Sequence, residues 1–219
     1  MKPLRIAVAK GRLEEYVMEI LADAGYDCPD ARDKGRKLIL SLDNGRLEMV
    51  LAKSADIITY VEHGVCDMGV AGKDIIMEYA QSLYEVMDLG FGRCRMSLAT
   101  FKDRDFYRGF GVKSVATKYP NIARTFFESK AMDVNIIKIE GSVELAPLLG
   151  LTDGIVDIVE TGSTLRANGL EEKETICGIS ARLVVNVASM KMRKSEIELM
   201  LGRLRRVLDE RGIAAKSRE

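Results

Sequence analysis

An aspartate placed four residues ahead of a hydroxyl-rich turn carries the clearest chemistry in this chain: Asp157 precedes Thr161-Gly162-Ser163-Thr164. The residues leading into the turn form an apolar strand, and Leu165 opens a short helix. Strand, tight turn and helix start together aim several backbone N–H groups at one point, where the helix dipole favours an anion. That arrangement is a phosphate cradle. In it Gly162 permits close approach, Ser163 and Thr164 add hydroxyl donors, and Asp157 at the strand end accepts hydrogen bonds from hydroxyls such as those of a ribose. The same residues would also make an ordinary helix cap, and both readings stand at this point.

A second set of candidates is cationic. Lys10-Gly11-Arg12 follows the first strand and opens the first helix, which sets charge and amides at a carboxyl edge of a sheet, where α/β proteins take their ligands. Solvated charges at a helix start would look the same. Arg36, Lys53 and Lys73 recur near strand ends or turns with the same ambiguity. The common adenylate loops are excluded: Gly72-Lys73-Asp74 lacks the upstream glycine and the following Ser or Thr of a Walker sequence, and Gly90-Phe91-Gly92 lacks the third glycine of a dinucleotide fingerprint. Arg93 and Arg95 flank Cys94 and would lower its thiol pKa, but no histidine base accompanies it, so it is read as a packed thiol. The single histidine, His63, stands beside Gly64 at an expected helix end and is read as structural.

These residues need a scaffold, and the hydrophobic pattern supplies one. Residues 4–9 read as a buried strand, and Leu13, Val17, Ile20, Leu21 and Ala24 recur at helical spacing until Gly25. Strands over 37–42 and 47–52 are joined across Asp43-Asn44-Gly45, a turn sequence that admits positive φ, so a hairpin is expected. Asp56 is expected to cap a helix running to Glu62. A short strand over 68–71 and a helix over 73–80 follow. Beyond the glycine-rich stretch near residue 90, strands are expected over 96–100, 113–117, 134–139 and 155–159, with helices near 121–130 and 143–149. The pattern is two successive α/β units meeting near residue 90. A strand over 183–187 then precedes a helix whose Ile197, Met200, Leu201, Leu204, Val207 and Leu208 share one face and need a surface to cover.

The 219 residues balance 33 Lys plus Arg against 33 Asp plus Glu, so there is no global field to gather nucleic acid or an anionic membrane. Any anionic ligand must be held locally. Cys28, Cys66, Cys94 and Cys177 are widely separated and include no Cys-x-x-Cys pair, against structural zinc or a disulfide framework and in keeping with a reducing compartment. The longest early apolar run, residues 6–9, is too short for a signal peptide or a spanning helix, so a cytoplasmic address is expected.

Over nearly its whole length the sequence resembles the short form of the ATP phosphoribosyltransferase family. The resemblance is carried by Ala9-Lys-Gly-Arg-Leu13, Thr59-Tyr-Val-Glu-His-Gly64, Gly72-Lys-Asp74, Asp88-Leu-Gly-Phe-Gly-Arg-Cys94, Gly141-Ser-Val-Glu-Leu-Ala-Pro147 and the segment from Asp153 to Leu170. It implies a two-lobed α/β fold resembling type II periplasmic binding proteins, with a cleft between lobes. Lobe I would comprise 1–92 with a returning segment 181–219, and lobe II 93–180 with the phosphoribosyl-diphosphate loop. The implied reaction joins N1 of the ATP adenine to C1 of phosphoribosyl diphosphate, with Mg²⁺ on the substrate phosphates and no metal held by direct protein ligation.

By the same resemblance Arg12, Arg36 and Lys53 serve catalysis. Lys10, Gly11, Gly72, Lys73, Asp74, Gly90, Phe91, Gly92, Glu144, Asp157, Glu160, Thr161, Gly162, Ser163 and Thr164 bind substrate. One departure matters: where the family often has an arginine-proline stretch before the Thr-Tyr-Val-Glu helix, this chain has Lys53, which lacks a bidentate fork. The implied partners are a histidyl-tRNA synthetase-like regulatory subunit and a second copy of the chain, as a homodimer within a hetero-oligomer, with no nucleic acid and no membrane. Histidine feedback is expected to require that subunit, since the family's long form carries its regulatory domain after the point where this chain stops. A solute-binding protein of the same two-lobed fold is the reading from another class.

Overall fold

The structure is a computed structural model and describes residues 2–28, 35–109 and 111–212. It divides into two compact units, Met1–Gly92 with Ser180–Glu219, and Arg93–Ile179. The last residues of the returning segment, 213–219, lie outside the described residues.

In unit 1 the described strands form a six-stranded sheet. It is built from β1 (Leu4–Ala9), β2 (Ile39–Leu42), β3 (Leu47–Ala52), β4 (Met68–Gly72), β5 (Leu83–Asp88) and β11 (Ala181–Asn186), in the order β2-β3-β1-β4-β11-β5. β3, β1 and β4 run parallel, with Ala9 opposite Ala52 and Val8 opposite Val70. β11 runs antiparallel to both β4 and β5. Burial on both faces explains the apolar run of β1 from Ile6 to Ala9, and Arg5 before it pairs with Glu48 at 2.7 Å. One face packs on α1 (Arg12–Asp23) and α8 (Lys194–Glu210), whose Val17, Ile20, Leu21, Ile197, Met200 and Leu204 join Ile6, Met49 and Leu183 in the core. On the other face α2 (Ser54–Glu62) approaches β4 so closely that a Cβ on Gly69 would stand 2.8 Å from both Ile57 and Val61.

The hairpin turn forms as its sequence dictates. β2 and β3 pair antiparallel, and Asp43, Asn44 and Gly45 all take positive φ, from 48° to 80°. α2 begins earlier than its acidic residue indicated: Lys53 is the N-cap, and Asp56 sits in the first turn, where its charge meets the helix dipole instead of closing the cap. α3 (Lys73–Tyr79) follows β4 directly, and α7 (Val187–Met192) joins β11 to α8.

In unit 2 the described strands form a five-stranded sheet in the order β10-β6-β9-β7-β8. Its strands are β6 (Cys94–Phe101), β7 (Lys113–Thr117), β8 (Val134–Lys138), β9 (Gly154–Val159) and β10 (Leu170–Ile179). β8, β7 and β9 are parallel, whereas β6 is antiparallel to its neighbours. The helices are α4 (Pro120–Ser129), α5 (Leu145–Leu148) and α6 (Ser163–Ala167). Ala116, Val143, Ala146, Ile155, Val159 and Leu165 pack into a core that seats α5 and α6 beside β9. Among the described residues no helix is long and apolar enough to cross a membrane.

Candidate active site

The turn after β9 is built on one backbone conformation. Gly162 caps α6 with φ 71° and ψ 10°, in the left-handed region that a side-chain-bearing residue enters at a cost of about 1–2 kcal/mol. The turn is laced by its own hydroxyls: Thr161 Oγ1 and Ser163 Oγ lie 3.0 Å apart, and Ser163 N–H leans on Thr161 Oγ1 at 3.4 Å. The first turn of a helix has no intrahelical acceptors for its N–H groups. Arg166 is the residue whose N–H closes back, onto the Gly162 carbonyl at 3.1 Å. The amides of residues 162, 164 and 165 are thus arranged to receive an acceptor from outside, and that of Ser163 is held by the Thr161 hydroxyl.

Around this turn is a cavity of about 360 Å³ lined by Glu144, Asp157, Ile158, Val159, Glu160, Thr161, Gly162, Ser163, Thr164 and Leu165. Seven of these are site residues singled out above, among them Glu144, which is distant in sequence and enters as the N-cap of α5. Asp157 lies within β9, opposite Ser97 of β6, two residues before the strand ends, and is half-buried. A cavity that combines exposed hydroxyls, amides and three carboxylates can hold a phosphate at one end and neutral hydroxyls at the other.

The other candidates gather on unit 1. Because β1, β3 and β4 are parallel, the segments that follow them emerge at one edge of the sheet. Lys10 N–H donates to the Ala52 carbonyl at 3.3 Å, which sets Lys10 beside Lys53. β2 runs the opposite way, and Leu51 N–H donates to the Leu38 carbonyl at 2.8 Å, so the approach to β2, with Arg36, lies beside the end of β3. Lys10, Arg12, Arg36 and Lys53 are exposed, and among the described residues none forms an ion pair. Gly11 has φ 95°, and its N–H donates to Glu14 Oε2 at 3.3 Å, closing the first turn of α1.

Three further candidates are tied up within the unit. Lys73 pairs with Glu85 at 2.5 Å. Asp74 is buried under Gly72, where an added Cβ would fall 2.2 Å from Asp74 Oδ1. Phe91 stacks on Tyr16, centroids 4.4 Å apart. Gly90 and Gly92 adopt φ 66° and 63°, and Asp88 Oδ1 accepts from both Gly90 N–H and Ser180 Oγ at 2.8 Å. His63 Nδ1 lies 2.9 Å from the Thr59 carbonyl at the end of α2. Burial pushes the Cys66 thiol up to about 11, as expected of a packed and unreactive thiol.

One pair escaped the sequence reading. Arg95 and Glu172 form a forked ion pair in which Nε lies 2.8 Å from both carboxylate oxygens, and Arg95 Nη1 also donates to the Glu160 carbonyl at 3.2 Å. The guanidinium, with hydrogen bonds from Thr175 and Ser97, holds the Glu172 carboxyl down at about 2. Arg95 was visible in the sequence only as a neighbour of Cys94, and its partner is far away in the chain.

Residues 53–206 match the HisG family, described as ATP phosphoribosyltransferase. The chain is 54% identical over 209 residues to the ATP phosphoribosyltransferase of Clostridium kluyveri, covering 95% of each. It is 50% identical over 211 residues to that of Clostridium novyi, covering 95% of this chain and 100% of the other. Among solved structures it is similar to the Thermotoga maritima ATP phosphoribosyl transferase (HisG:HisZ) complex, with 35% identity, a TM-score of 0.80, and 94% and 99% of the two chains covered. The Escherichia coli periplasmic aliphatic sulphonate binding protein SsuA shares the fold at 11% identity, with a TM-score of 0.60 and coverage of 99% and 76%.

Proposed function

The chain belongs to the ATP phosphoribosyltransferase family, and from that premise we propose which of its residues carry the reaction: the turn at 160–164 holds the 5-phosphate of phosphoribosyl diphosphate, and the cationic edge of unit 1 meets the polyphosphate groups. The reaction is the first step of histidine biosynthesis. It joins N1 of the ATP adenine to C1 of phosphoribosyl diphosphate and releases pyrophosphate.

The chemistry asks little of any single side chain. Adenine N1 already carries a neutral lone pair, so no base is needed to make it a nucleophile and no covalent intermediate is required. What must be supplied is position, and stabilisation of an oxocarbenium-like C1 as negative charge leaves with pyrophosphate. In this reading Thr161, Ser163 and Thr164 donate hydroxyls, and the amides of residues 162, 164 and 165 converge on the 5-phosphate. Asp157 accepts from the ribose hydroxyls, and Glu144 and Glu160 wall the same cavity. Lys10, Arg12, Arg36 and Lys53 stabilise the departing and adenylate-borne phosphates; Lys73 would do so only by releasing Glu85.

Among the described residues no three His, Cys, Asp or Glu side chains group to hold an ion. The carboxylate oxygens of Asp157 and Glu160 are nevertheless donors of the hard kind that Mg²⁺ accepts beside water and phosphate, so the cavity suits a divalent ion brought in on the substrate. Such an ion would spread the charge of the leaving pyrophosphate. We propose a cytoplasmic setting, in keeping with four cysteines that form no disulfide. For assembly, we take from the Thermotoga maritima complex the expectation of a HisZ-type regulatory partner, through which histidine would act.

The observation that carries the reading is the cavity that brings Glu144, Asp157 and Glu160 together around the Gly162 turn. Its test is calorimetric titration of phosphoribosyl diphosphate into Asp157→Asn. Loss of one charge-assisted acceptor should weaken binding roughly tenfold. Unchanged affinity would move the ribose elsewhere.

A further inference from the structure

Arg95 and Glu172 take no part in the reaction as derived above, yet their hydrogen bonds converge on the cavity's backbone. Glu172 accepts from Arg95, from the fully buried Ser97 Oγ at 2.9 Å and from Thr175 Oγ1 at 2.7 Å. Nε and Nη2 of Arg95 are committed to that carboxylate, which fixes the plane of the guanidinium. The remaining nitrogen, Nη1, donates to the carbonyl of Glu160, the residue that opens the turn. The register of β6 brings this contact within reach, because Arg95 stands opposite Val159, the last residue of β9.

Resting on the assignment of the turn to the 5-phosphate, we propose that Arg95, clamped by Glu172, is a positioning residue that locks the peptide joining Glu160 to Thr161 with its carbonyl turned away from the phosphate. A trans peptide is planar, so the Glu160 carbonyl and the Thr161 N–H point in opposite directions, and the described chain has no cis bonds. Arg95 is absent from the lining of the Asp157 cavity and lines, with Lys102, Arg166 and Glu172, a separate one of about 310 Å³ on the same turn. Holding the carbonyl on the Arg95 side leaves the Thr161 N–H on the other.

The lock matters because the conformation beside it is soft. The peptide joining Glu160 to Thr161 lies beyond Val159, the last residue of β9 paired with β6, and peptides in turns rotate between the common turn types. Rotated, this peptide would turn the Glu160 carbonyl oxygen toward the phosphate held by the neighbouring amides. Arg95 therefore acts through the backbone without touching substrate.

The experiment uses the full chain assembled with its HisZ-type regulatory subunit, and the variants Arg95→Gln, Arg95→Lys, Glu172→Gln and Arg95→Gln with Glu172→Gln. The readouts are KM for each substrate, kcat, calorimetric affinity for phosphoribosyl diphosphate, and the urea midpoint. Arg95→Gln should raise KM for phosphoribosyl diphosphate roughly tenfold, the scale of one misdirected charge-assisted bond, while KM for ATP stays within about twofold. Arg95→Lys should behave like Arg95→Gln, because an ammonium cannot fork to Glu172 and reach the Glu160 carbonyl together. The double variant should be no worse than Arg95→Gln alone, since the two groups act in series.

Three results would overturn the proposal. A wild-type KM in Arg95→Lys would mean that charge alone suffices. Parallel losses in both KM values and the urea midpoint would mean that the pair only holds the sheet together. Normal affinity for phosphoribosyl diphosphate in Arg95→Gln would mean that the peptide needs no lock; if Asp157→Asn also binds normally, the assignment of the turn has failed with it, and if Asp157→Asn is weakened, the lock alone has failed.

Discussion

Replacement of Gly162 separates two ways in which a glycine can serve a phosphate site. If Gly162 is there to leave room, affinity for phosphoribosyl diphosphate should fall with side-chain volume, from Ala through Asn to Val. The structure points to conformation instead. An added Cβ would meet Arg166 Nη1 at 3.1 Å and Val159 Cγ1 at 3.8 Å, and the exposed guanidinium of Arg166 can move aside. What cannot be accommodated is φ 71°. Alanine there costs about 1–2 kcal/mol, and a free chain that relaxes out of the left-handed region must recover that energy to bind, which makes affinity about 5- to 30-fold weaker. Asparagine tolerates the left-handed region far better and should lose least despite its size. Valine, branched at Cβ, should lose most. Titration calorimetry of the three variants with phosphoribosyl diphosphate, beside urea denaturation of each, checks the order Asn, Ala, Val. An affinity order that follows volume, with asparagine worse than alanine, would refute the reasoning.

Arg36→Ala removes an exposed cation with no ion pair among the described residues, so the urea midpoint should stay within the roughly 0.5 kcal/mol typical of surface changes, while kcat/KM falls by about tenfold or more; unaltered kinetics would assign Arg36 to the solvated surface. Glu172 sits at about 2, below its ordinary value near 4.5, so its stabilising contribution is complete above pH 4.5 and is lost as pH falls toward 2. The stability gap between wild type and Glu172→Gln, followed by urea denaturation across pH, should be flat above about pH 5 and close below pH 4.5; a gap constant down to pH 2 would show that the ion pair is not its source.

What could be read in the sequence follows burial. β1 and β9 are enclosed by their neighbours, so their apolar residues stand out, and the strand-turn-helix at Thr161 is legible because all its parts are contiguous. β5 and β10 are illegible because each is an edge strand without a buried alternating face, and β5 has no fully buried residue. β10 reads Leu-Glu-Glu-Lys-Glu-Thr-Ile-Cys-Gly-Ile, and two register shifts against β6 break the alternation that would mark a strand. The unit 1 cations were individually ambiguous since each follows or precedes a different strand; only the register shows that Lys10, Arg36 and Lys53 share an edge. Local spacing could not show that Lys73 faces Glu85 or that Arg95 reaches the Glu160 carbonyl, because both contacts are made by the folding of distant segments. Phe91 shows the opposite limit: a residue of a family motif that packs on Tyr16 against the core.

The most direct test is turnover. The chain, mixed with ATP, phosphoribosyl diphosphate and Mg²⁺ in the presence of a HisZ-type partner, should form phosphoribosyl-ATP and pyrophosphate in equal amounts, and Gly162→Val should abolish most of that product without unfolding the chain. Tight binding of either substrate with no phosphoribosyl-ATP formed, by wild-type chain in a complex verified to be assembled, would contradict the account and leave a solute-binding protein of the same fold.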